Sequence, residues 1–95
     1  MATTKTLIGV TLQLRDGSFE VYCGFTANEV IIPPQGTGVA LTYYGVGIDQ
    51  VMWDPIAGHV SVELQTQFFE TADELRQVAD ALRTKGWEVG EEEEL

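Results

Sequence analysis

Residues 16–75 contain no lysine and no arginine, sixty consecutive positions without a fixed positive charge. The 95-residue sequence has only five such residues, Lys5, Arg15, Arg76, Arg83 and Lys85, against fifteen acids, for a formal net charge of -10. Following a phosphate backbone takes clustered lysine and arginine, so the composition argues against nucleic-acid binding. For the same reason it argues against docking on an anionic membrane surface. Cysteine is nearly missing: Cys23 stands alone, which excludes an internal disulfide and a cysteine-based zinc site within one chain. His59 is the single histidine, too few for a multi-histidine metal centre. No stretch nears the roughly 20 apolar residues that span a bilayer. Residues 1–10 lack the apolar core of a secretory signal. The expectation from these absences is a soluble, cytoplasmic protein without a cofactor.

Phosphate-loop signatures are missing as well. The glycines at 36, 38, 45 and 47 match neither a P-loop nor a dinucleotide fingerprint and read as turns and strand ends. Asp49 and Asp54 lack the spacing of a calcium loop.

What the sequence does contain is globular. Its apolar fraction of 44% and charged fraction of 21% are those of an ordinary folded domain. The length suits one domain, taken as residues 1–90, followed by an acidic tail at 91–95. Charge is uneven: residues 1–60 hold five acids and two bases, residues 61–95 ten acids and three bases. A terminal acidic run reads first as a solvated, mobile tail. The alternative is a lure for a basic partner, or a nucleic-acid mimic, although residues 21–60 hold only Glu29, Asp49 and Asp54 for mimicry.

The clearest local signal is Asp16-Gly17 between two alternating segments, a hairpin signature. With those two residues as the loop, Leu14 meets Phe19, Leu12 meets Val21, Val10 meets Cys23 and Ile8 meets Phe25. These apolar pairs share one face, and Thr11, Tyr22, Gly9 and Gly24 take the other. A three-residue loop with a bulge is the local competitor. Residues 26–38 read as a loop, stopped by Pro33-Pro34. Residues 39–46 read as a strand and 49–53 as a short one. After a turn at Asp54-Pro55, residues 59–67 alternate as a further strand, with a hairpin joining 51–53 to 60–62.

Residues 71–85 carry helix signals at both ends. Thr71 and Glu74 form a capping box, Arg83 and Lys85 fall in the last turn, and Gly86 is a left-handed cap. Ala72, Leu75, Val78, Ala79 and Leu82 make one apolar stripe. Trp87 and Val89 pack back, with a last short strand as one form of this. The expected fold is α+β: a single small domain with an antiparallel sheet of about five strands and one C-terminal amphipathic helix on one face.

Candidate binding residues are Tyr22, Tyr44, Trp53, His59 and Asp54. Tyr22 falls on the face opposite the hairpin core, and of the adjacent Tyr43 and Tyr44 a regular strand sends one to each side. Half-exposed tyrosines covering a sheet are the plain reading; a subunit interface or ligand platform is the functional one. Asp54, five residues before His59, is placed to face it across a turn and raise its basicity. An ordinary polar pair beside a turn is the plain reading there, and no catalytic residue is assigned. Cys23, opposite Val10, is an inert core thiol. The sequence therefore reads as a non-enzymatic, self-associating interaction module, a homo-oligomer through a sheet face or edge. The alternatives are a small-molecule-binding or sequestering protein and an inhibitor or immunity protein for a basic partner.

Overall fold

The computed structural model describes residues 5–29, 38–40 and 45–94. Its centre is the hairpin of β1 (Lys5–Leu14) and β2 (Phe19–Ala27). The expected register is the observed one: Val10 faces Cys23, Leu12 faces Val21 and Gly9 faces Gly24. The loop itself is longer than two residues. Gly17, at φ 76, returns its N–H to the Leu14 carbonyl at 2.9 Å. The Asp16 carboxylate accepts the Ser18 N–H at 2.9 Å and its hydroxyl at 2.6 Å. Short side-chain-to-backbone bonds of this kind tighten a turn without altering the strand register beyond it.

Then come β3 (Gly38–Ala40), β4 (Gly45–Asp54), β5 (His59–Leu64) and β6 (Gln67–Phe69). The helix α1 (Ala72–Thr84) and two short strands, β7 (Glu88–Val89) and β8 (Glu93–Glu94), complete the chain. The sheet order is β3-β4-β5-β1-β2-β7, with β6 on β1 and β8 on β2. An α+β fold with one helix across a sheet is thus what forms, with three corrections. The sheet is mixed, because β5 and β6 both run parallel to β1. The helix is followed by strands and is not C-terminal. The segment read as one strand at 39–46 is two: Val39 and Val46 lie opposite each other in an antiparallel pair, so the chain reverses between them. Gly45-Val46-Gly47, read as a strand end, begins β4.

Two strands are bent by a single extra residue. Between β5 and β6 the parallel offset to β1 changes by one, and β4 shifts register between Ile48 and Gln50. These meet: the Gln65 N–H bonds the Gly47 carbonyl at 2.9 Å, and the Gln65 amide sits so close that a Cβ at Gly47 would lie 3.1 Å from its oxygen. Bulges of this kind re-aim side chains. Downstream of the bend, Phe69 packs on the core while Phe68 points out on the far side.

Helix α1 starts at Thr71, whose hydroxyl accepts the Glu74 N–H at 3.2 Å, and ends in a Schellman motif. Gly86, at φ 96, donates to Arg83 O at 3.1 Å, and Trp87 donates to Leu82 O at 3.0 Å. Leu75, Ala79 and Leu82 are buried on its inner side. They cover β1, β2, β6 and β7, and the core is Val10, Leu12, Phe19, Val21, Cys23 and Trp87 beneath them. Val60, Val62 and Leu64 continue that face along β5. Thr71→Ala removes the cap acceptor, and we expect it to cost about 1 kcal/mol. Chemical denaturation reads this directly, and Thr71→Ser should restore the loss.

The acidic run at 91–94 is charged and exposed, as expected, but it is not a free tail. Gly90 donates to Tyr22 O at 2.8 Å, and Glu93 and Glu94 pair with Glu20 and Phe19. Arg76 grips Glu92 with two bonds of 2.7 and 3.2 Å and lies 5.6 Å from the centre of the Phe19 ring. The run closes one edge of the sheet. No helix among the described residues is long and apolar enough to cross a membrane.

Candidate functional site

Strand alternation and the register divide the candidate residues between places. On β4 and β5, Trp53 pairs with Val60 and Asp54 with His59. Trp53 therefore shares the helix-side face with Val60, while Asp54 and His59 share the opposite face. The Asp54 carboxylate looks into the turn, accepting the Ile56 and Ala57 N–H groups at 3.0 Å each. These bonds, with a smaller contribution from the nearby His59 charge, hold its pKa below the usual carboxylate value. The expected pairing of Asp54 with His59 exists as a strand register, but the carboxylate is engaged by the backbone. Tyr43, Tyr44 and residues 30–37 of the expected loop at 26–38 lie outside the described residues.

Tyr22 lies on the uncovered face, away from Trp53. Its side chain leans across β1 over Gly9, where an added Cβ would collide with the tyrosine hydroxyl. The hydroxyl donates to Glu63 Oε1 on β5 at 2.7 Å. One side chain thus bridges β2, β1 and β5, and any side chain at position 9 would have to displace the tyrosine ring end from this place. Partial burial, then the Glu63 carboxylate, push the phenol up to about 12. Cys23 is buried in the core beside Val10, and burial pushes its thiol up to about 11. A thiol held so far above neutral pH is not a nucleophile. Among the described residues no group of three His, Cys, Asp or Glu side chains is placed to hold a metal ion.

By the same alternation the uncovered face carries the polar Thr11, Gln13, Glu20, Thr26, Ser61 and Glu63 together with Leu7, Tyr22, Met52 and Phe68. Exposed apolar side chains are densest at one end of β4. Val51, Met52, Trp53 and Ile56 are 41%, 57%, 49% and 93% exposed, all at the end of the β4–β5 hairpin. β3 covers β4 only along residues 45–47. Among the described residues, the outer edge of β4 from 48 to 54 pairs with no strand. No protein-family model matches the chain, and no curated protein and no solved structure matches it.

The sequence reading did not single out Val51, Met52 or Ile56. A signal was present: residues 50–57 are apolar on both alternation phases and include one charged residue, Asp54. This part of β4 is greasy on both faces, and among the described residues no strand pairs with its outer edge.

Proposed function

We propose that this protein is a non-enzymatic interaction module that self-associates by antiparallel strand pairing along β4. The observation that carries the reading is the contrast between its two edges. Strand edges invite other strands, and proteins commonly blunt them with charge. The edge formed by β7 and β8 has Glu88 and Glu91 to Glu94 along it. The β4 edge has Val51, Met52 and Trp53, with both neighbouring acids accounted for: Asp49 lies at the bulge and Asp54 is turned into its own loop. The net charge of -10 opposes association of two copies, but five of the fifteen acids, Glu88 and Glu91 to Glu94, lie at the opposite edge of the sheet.

An antiparallel pair centred on Met52 puts Val51 of each copy opposite Trp53 of the other, and Gln50 opposite Asp54. No like charges meet, which removes the usual cost of such a pairing. The two-fold axis stands perpendicular to the sheet, so the pair forms one continuous sheet with its uncovered faces on the same side.

Light scattering at micromolar concentration should give twice the 10.5 kDa chain mass. The double variant Val51→Lys, Trp53→Lys, both at exposed positions, should weaken the dimer about hundredfold while leaving the circular dichroism spectrum intact. A clean monomer for the unaltered chain would end this reading.

A further inference from the structure

The uncovered face carries a recess of about 260 Å³ where β5, β1, β2 and β7 lie side by side. Gly9 and Gly24 are partners in the ladder, so the sheet has a bare spot two residues wide. Tyr22 fills the half over Gly9. The half over Gly24 stays open: a Cβ there would meet nothing nearer than the Ile8 carbonyl, at 3.8 Å. Around this floor stand the Tyr22 ring, Ser61, Glu63 and Glu88. Glu88 sits directly across from Gly24 on β7. Glu63 is held in place by the tyrosine hydroxyl at 2.7 Å, which uses one of its carboxylate oxygens and leaves the other free to accept.

No lysine or arginine lines the recess. Its wall therefore offers two carboxylates, the hydroxyls of Ser61 and Thr26, the Leu7 side chain and an aromatic ring around a backbone floor. An anionic ligand finds nothing there to neutralise it. An ammonium ion would satisfy the charge, but it is a compact, strongly hydrated point charge that gives up water reluctantly. A guanidinium is planar, carries five N–H donors in a fixed fork and is only weakly hydrated. It can bond two carboxylates at once and lie against a ring.

We propose that this recess receives the guanidinium of an arginine side chain presented by a basic protein partner. The excess negative charge of the chain steers such a partner inward. The site shares no residue with the β4 edge, so it stands whether or not the protein pairs with itself.

The test is titration of the ¹⁵N-labelled full chain with N-acetyl-glycyl-arginyl-glycinamide, using the citrulline peptide as its uncharged counterpart. The arginine peptide should shift the amides of Gly24, Ser61, Glu63 and Glu88 saturably, and the citrulline peptide should not. Two variants extend the test. Gly24→Val puts a side chain on the floor, its Cβ no nearer than 3.8 Å to the Ile8 carbonyl, and Glu63→Gln with Glu88→Gln keeps shape while removing charge. Each should weaken binding at least about tenfold. The Val51→Lys, Trp53→Lys protein should bind as the unaltered chain does. Shifts confined to residues 91–94 and the acids of α1 would overturn the proposal, as would equal binding of the citrulline peptide or full affinity in both recess variants.

Discussion

Leu12→Ala should lower the stability of the fold by about 3–5 kcal/mol, the range for a fully buried leucine whose cavity cannot collapse. Leu12 is fully buried. It is flanked by Val21 on one side and Gln67 on the other, on the central strand of the sheet. Neither neighbour can move in to fill the gap without breaking a ladder. A domain of this size has on the order of 5–10 kcal/mol in total, so the variant should lose most of it. The urea midpoint should fall steeply with its slope unchanged. Phe68→Ala is the control. Phe68 is larger but 54% exposed on the face away from the helix, and should cost less than about 1 kcal/mol. Equal losses in the two variants would mean that the buried and open faces have been assigned the wrong way round.

Stability should also fall between about pH 9 and 12, through two groups whose charged forms the fold disfavours. Cys23 rises from 9.0 to about 11 because it is buried, an effect the Arg83 charge only partly offsets. Tyr22 rises from 10.0 to about 12, through burial and then Glu63. In both cases the folded state holds the proton more tightly than the unfolded state. Their contribution is therefore complete below the unfolded values and is lost as pH climbs through the folded ones. For Cys23 the loss is of order 2 kcal/mol; Tyr22 is half exposed, and solvent screening makes its share smaller. Urea midpoints should be level through neutral pH and then drop. Cys23→Ala should flatten the first part of the drop and Tyr22→Phe the later part. A level profile to pH 11 in the unaltered chain would show that the thiol is not sealed in the core.

What the residues alone determined was local. The β1–β2 register was legible because alternation has a period of two, so a slip by one residue would expose the whole set from Ile8 to Leu14. The helix was legible because Thr71, Glu74 and Gly86 mark its ends with side-chain and backbone chemistry that acts within one turn. The inertness of Cys23 followed from that same register. Only the tertiary structure decided which strand the second hairpin joins, since a parallel edge on β1 depends on surfaces far apart in the chain and leaves no mark on either. It also decided that the glutamates at 91–94 close an edge: β8 is held by pairing with β2 and by Arg76, sixteen residues from Glu92. The recess over Gly24 has the same origin. Gly9, Tyr22, Glu63 and Glu88 become neighbours through three separate strand pairings, and no spacing along the chain announces that. Local rules act over a few bonds, whereas sheet order is set by which buried faces fit together.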